Sequence, residues 1–270
     1  MVKKLFKHEF KAMFRSLLPI EGVILGIGIL ARFILFFEQD TTAFDIVYGS
    51  TIAALVIALI AGPVAAFVLG ITRFHKNLFT GEGYLSFTLP VTPTQHLYVK
   101  VITAVVMEIL AVLVAVLTFC IATSGDLLTE VIKAGTYLIE LAFTQLSAID
   151  LSFYIVEIVL FLIVSAFYGY LVIYACISLG QTAKKNRTLC AVGVYFGYYM
   201  ISQAVGTVFV VAINALTQLD FFNKIISFLE EHPYETAHMA FCGVTVWYAI
   251  LSVVFFFISR FVMRKKLNLE

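Results

Sequence analysis

Four ionisable side chains, Glu21, Arg32, Glu108 and Glu157, stand inside long apolar runs of this 270-residue chain. A charge in hydrocarbon is costly, so such residues normally face protein or water. At 1.5 Å per residue, Glu108 falls about 16 Å into its run, close to a bilayer midplane. There it either lines a polar passage or stays neutral and hydrogen-bonded between helices. Arg32 and Glu157 each fall roughly 8 Å from the far end of their runs by the same rise, so the two could pair. An ion pair satisfies both charges without any further role, and that is the simpler reading.

Other chemistries fail on spacing. The only adjacent acids are Glu230 and Glu231 in "FLEEHPYE". An intramembrane prenyl-protein protease would want such a pair followed by Arg on a helix, and here His232, Pro233, Tyr234 and Glu235 follow. No HExxH or CxxC occurs, and Cys120, Cys176, Cys190 and Cys242 have no metal-ligand spacing. The phosphate cradle GxxxxGK[ST] is absent, and "SLGQTAKKNR", Ser178 to Arg187, lacks its second glycine. The chain is therefore expected to be non-catalytic, with no cofactor or metal of its own.

The elements that carry these residues are set by hydropathy. The chain is 61% hydrophobic and 13% charged, against roughly half and a quarter in a soluble domain. A span needs about 20 apolar residues, and six runs qualify: 17–37, 47–71, 97–123, 151–180, 189–214 and 239–262. The expected fold is an all-α integral membrane protein, one transmembrane domain over 1–270. Fifteen of the 18 Lys and Arg, from Lys3 to Lys266, fall on one side if the N-terminus is inside. By the positive-inside rule both termini are then cytoplasmic. The net charge of +1 hides this polarity and gives no reason to expect nucleic acid.

Residues 1–16 read as an amphipathic helix lying in the headgroup plane. Phe6, Phe10, Phe14 and Leu17 form one stripe and Lys4, Lys7, Lys11 and Arg15 another, with a turn at Leu18-Pro19 into the first span. Two GxxxG motifs, Gly22 to Gly26 and Gly193 to Gly197, start at similar depth in the first and fifth spans. Small residues let helices approach closely. The first span of one subunit is expected to pack on the fifth of another, or the motifs serve packing within one bundle. On the outer side, residues 124–150 carry a helical apolar face that either lies on the membrane surface or caps an exit.

Between the second and third spans runs "NLFTGEGYLSFTLPVTPTQHLYVK", Asn77 to Lys100. "HKNLF" can start a short helix, Gly81 and Gly83 allow a turn, and Pro90 stops "YLSFTLP". Thr92-Pro93-Thr94-Gln95 reads as a helix start, with Thr at the cap, Pro first and Gln third. The third helix should thus begin in the cytoplasm and run into the membrane. A compact aromatic projection on rigid helices is something a peripheral protein could grip.

The stretch "RFHKNLFTGEGYLSFTLPVTPTQHLYVK", Arg73 to Lys100, resembles the cytoplasmic loop of ABC-2 type transporter permeases of Firmicutes, in which an EGYL-x-FTLP core followed by Lys recurs. "ISLGQTAKKNR" before the fifth span is similar to the corresponding loop there, as is the plan of six spans with both termini inside. Gly81 departs from the pattern, where an acidic residue is expected. The resemblance implies a permease subunit of an ATP-binding cassette transporter in the bacterial cytoplasmic membrane. Its partners would be a separate ATPase subunit, which binds ATP and Mg, a second permease copy or relative, and membrane lipid. The cytoplasmic coupling loop would be 72–96, with Lys76, Phe79, Glu82, Gly83, Tyr84, Leu85, Phe87, Leu89 and Pro90 at the ATPase contact. Transport, by the same analogy, would be export of an amphipathic compound, lipid or peptide. Two other classes fit the spans without the loop: an ion-gradient-driven secondary transporter, and a non-transporting membrane anchor or sensor subunit.

Overall fold

Apolar runs this long have one way to satisfy their backbone in lipid, which is to bond it internally as helix. The computed structural model describes residues 2–37, 41–80, 91–123, 129–130, 132–137, 148–217, 227, 229 and 231–265. Among these it is all-helical, with no strand. Six long helices follow in order: α1 (Val2–Phe36), α2 (Thr42–Phe79), α3 (Pro93–Ala122), α4 (Ala148–Gly180), α5 (Arg187–Leu216) and α6 (Pro233–Lys265). Each is long and apolar enough to cross a membrane. They fall in two compact units, Met1–Leu151 and Ser152–Glu270.

In the first unit, α1, α2 and α3 pack on one another. Glu9 meets Lys100 at one end and Gly28 abuts Thr118 towards the other, so α1 and α3 run in the same direction. Arg73 also meets Glu9, and Leu55 packs with Ala31 and Ala122, so α2 runs against both. The packing surfaces are small. A Cβ on Gly28 would lie 2.5 Å from Thr118 Cγ2, and one on Gly62 would lie 2.9 Å from Ile24 Cδ1. In lipid, where no hydrophobic drive holds helices together, such close backbone approach supplies the van der Waals contact.

The N-terminal segment differs from expectation. α1 is a single helix through Pro19, with no turn at Leu18-Pro19. Proline removes one backbone bond, to Arg15, and the helix survives because packing holds it on either side. Glu9, Met13, Leu17, Glu21, Ile24, Gly28 and Ala31 are buried, spaced by three or four residues, and form one stripe that passes straight through the proline. The aromatic stripe is not the buried one. Phe6, Phe10 and Phe14 stack on each other along a flank, with ring centroids 6.1 and 6.2 Å apart, and Phe14 is exposed.

In the second unit the contacts are made by large rings. Tyr154 lies on His238, Phe161 on Tyr248 and Tyr168 on Tyr248, so α4 and α6 run parallel. α5 returns against them: Gly180 abuts Ala191, and the hydroxyls of Tyr168 and Tyr198 hydrogen-bond. The tight link between α4 and α5 uses Asn186 in a left-handed conformation (φ 51°), which Asn tolerates better than most residues. α5 is exposed along nearly its whole length, with only Ala191 buried.

Candidate functional site at the base of the loop between α2 and α3

The candidate site is the base on which residues 81–90 stand. On one side α2 does not end at the span but continues as helix to Phe79, so "HKNLF" is the last turns of α2, not a separate short helix. On the other, α3 starts at Pro93 with the expected capping box. Thr92 Oγ1 accepts from the Gln95 backbone N–H at 3.4 Å, and the Thr92 N–H donates to Gln95 Oε1 at 3.0 Å. The segment therefore hangs from two helical stems.

A buried ionic cluster ties these stems together. Lys100 Nζ on α3 donates to Glu9 Oε1 on α1 at 2.7 Å, and Arg73 Nε on α2 donates to the same oxygen at 3.0 Å. With its side-chain oxygen turned to Lys100, Asn77 accepts from Nζ at 3.0 Å while its amide donates to the Arg73 carbonyl at 3.1 Å. Glu9 and Lys100 are buried; Arg73 is half-buried. Phe74, Leu78 and Leu97, close in sequence to Arg73, Asn77 and Lys100, have no exposed surface. Burial pushes the Glu9 carboxyl up, but the charges and hydrogen bonds of Lys100 and Arg73 outweigh it and hold it below the ordinary carboxylate value. The cluster lies within the charged first turns of α1, before the apolar stretch that begins at Leu17.

The expected contact residues divide in two. Lys76 is exposed on the last turns of α2, and Phe79 is half-buried, edge-on to Phe74 at 5.5 Å. Glu82, Gly83, Tyr84, Leu85, Phe87, Leu89 and Pro90 lie outside the described residues. So does most of the outer segment, of which Thr129–Glu130 and 132–137 are helical.

The intramembrane polar residues are placed as follows. Glu108 is half-buried on α3. The α1–α3 register, Glu9 with Lys100 and Gly28 with Thr118, sets it level with Leu17, where the apolar stretch of α1 begins, and about one turn from Glu21, so it lies nearer one end of the α1 run than the midplane expected from its place in the third run. Glu21 is buried against Gly62, and neither of its oxygens has a hydrogen-bond partner among the described residues. Arg32 belongs to the first unit and is half-buried. Glu157 belongs to the second, and the partner found for it is on α6: Oε2 lies 2.9 Å from His238 Nδ1, and Cys242 Sγ donates to Oε1 at 3.5 Å. His238 was not singled out in the sequence, because residues 81 apart declare no pairing until helices are placed. All four cysteines are free, and no group of three or more His, Cys, Asp or Glu among the described residues could hold a metal ion.

The GxxxG glycines resolve clearly. A Cβ at Gly22, Gly26, Gly193 or Gly197 would meet nothing within 4 Å. Among the described residues, close packing at glycine is made by Gly28, Gly62 and Gly180, while an added Cβ in either motif meets none of them. No family model, curated protein or solved structure matches this chain.

Proposed function

We propose that this chain is the membrane-spanning permease subunit of an ATP-binding cassette transporter, and that its loop 72–96, with the contact residues from Lys76 to Pro90, is its power-coupling element. The observation that carries the reading is the Glu9–Arg73–Lys100 cluster. It locks both stems of the loop, and α1 with them, into one body, so a force on the loop would move three helices together instead of bending a tether. Six apolar helices and the one-sided Lys and Arg distribution support a multi-pass chain with both termini and the loop in the bacterial cytoplasm. The charged first turns of α1 then lie at the inner headgroups. ATP and Mg belong to the partner ATPase. Its closure would drag the loop and tilt the spans, exporting an amphipathic cargo. Gly22, Gly26, Gly193 and Gly197, where an added Cβ would meet no described residue within 4 Å, suit pairing with a second permease subunit.

The test is co-purification of the detergent-solubilised chain with its candidate ATPase, comparing wild type with Tyr84→Ala/Phe87→Asp. The expected result is loss of the ATPase from a variant that remains folded. Undiminished association would remove the loop from the coupling role and favour a gradient-driven transporter.

A further inference from the structure

A second feature lies in the other unit, between the C-terminal end of α4 and the later turns of α6. There Leu179, Thr182, Val253, Val254, Phe257, Ile258, Phe261 and Val262 enclose a groove of about 510 Å³, within the range of small-molecule sites. Its walls are almost wholly apolar, and one end is marked by charge. Thr182 lines it, and Lys184 and Lys185 follow in the α4–α5 link, both exposed. On α6, Arg264 is exposed and lies seven residues past Phe257 and eleven past Val253, which is two and three turns along the same helix face. From Val253 to Val262 the groove spans about 14 Å of helix rise, close to half of the roughly 30 Å hydrocarbon thickness.

An apolar slot about one leaflet deep, with Lys184, Lys185 and Arg264 towards one end, matches a phospholipid in apolar length and charge. We propose that this groove holds an acyl chain of an anionic phospholipid, whose headgroup phosphate is bound by Lys184, Lys185 and Arg264. A zwitterionic lipid offers the same chains, but its own cation offsets the phosphate charge. The anionic lipid gains the uncompensated attraction of three cations at the membrane surface. The site requires only that these helices span a bilayer, and it stands apart from the proposed transport activity.

The experiment uses the full chain in vesicles of equal parts phosphatidylglycerol and phosphatidylcholine, with one lipid brominated at a time. Trp247 is the only tryptophan and reports general lipid contact, being exposed ten residues before Phe257. A variant Phe257→Trp/Trp247→Phe moves the reporter into the groove, at a side chain already exposed enough to accept it. Quenching at position 257 is expected to favour brominated phosphatidylglycerol by about fivefold in relative binding constant, the size of one Lys or Arg contact to an anionic surface. Trp247 should show no comparable preference, and adding Lys184→Gln, Lys185→Gln and Arg264→Gln should abolish the preference at 257. Equal quenching by both lipids at 257 would overturn the proposal. So would a preference that survives the three substitutions, or one shared equally by Trp247. Because the vesicles are symmetric and no ATPase is present, failure here leaves the permease reading untouched, and the reverse also holds.

Discussion

Glu9→Gln is the sharpest perturbation of the loop base. It keeps the side chain's shape and removes its charge, taking from Lys100, 6% exposed, and from Arg73 the carboxylate oxygen they share. Breaking a buried ion pair from one side costs about 3–5 kcal/mol, because the surviving charge stays desolvated. Lys100→Met should cost less, about 1.5–3 kcal/mol, the range of one charged hydrogen bond, since Glu9 keeps Arg73 at 3.0 Å. Replacing both by Leu should cost less than the sum of the single changes, because Lys100 no longer remains as a buried charge, although half-buried Arg73 still loses its carboxylate. The assay is SDS-titrated unfolding of the purified chain followed by circular dichroism, and a pH series gives an independent check. The folded Glu9 carboxyl titrates below its ordinary 4.5. Its contribution is therefore fully present above that value and is lost as pH falls through the lowered folded value. Wild type should lose stability over that acid range by an amount absent from Glu9→Gln. A Glu9→Gln protein within about 0.5 kcal/mol of wild type, the scatter of surface changes, would refute the clamp, as would identical pH profiles.

The glycines divide by what surrounds them. Gly28→Ala puts a methyl 2.5 Å from Thr118 Cγ2 and 3.1 Å from its carbonyl oxygen, and should destabilise by about 1–3 kcal/mol through overpacking. Gly180→Ala should be worse in the same unfolding assay, because the obstacle is Ala191 backbone at 2.6 Å. Cysteines at Gly26 and Gly197 should leave the fold intact and crosslink between chains; bridges formed only within a chain would defeat the expected subunit contact. Glu108→Gln should lower cargo transport by the reconstituted complex or change its pH dependence. Full rate across pH would return Glu108 to a purely structural role.

How much of this was legible depended on range. The α3 start was readable because its chemistry is local: Thr92, Pro93 and Gln95 form the cap within four residues, and the structure has both reciprocal bonds. The six apolar helices were readable because lipid imposes a length and leaves the backbone no other option. The extent of α1 was misread because a periodic row of Phe and a proline together look like a helix and a hinge. Burial in fact follows a stripe holding Glu9 and Glu21, which no hydropathy argument selects. The ion cluster was invisible, since Glu9 lies 64 residues from Arg73 and 91 from Lys100. Each reads alone as one more cation or acid in a basic flank. The GxxxG motifs were read as subunit-packing surfaces, and only placed backbones could show that Gly28, Gly62 and Gly180 are the glycines in close contact among the described residues.

The two units solve the same packing problem differently, and the difference bears on how the proposed coupling would work. The first is closed by Gly28, Gly62, Ala31 and Ala122, where backbones touch and little can rearrange without a clash. The second is held by rings, Tyr154 on His238 and Tyr168 on Tyr248 at centroid distances of 3.8 and 4.6 Å. The loop rises from the first unit, whose three helices are tied at that end by a shared carboxylate. On the proposed function, a pull on residues 81–90 would therefore move α1, α2 and α3 as one lever. A loop on unlinked stems would instead spend the same displacement in bending, and Glu9→Gln should then uncouple ATP hydrolysis from transport while leaving the ATPase bound.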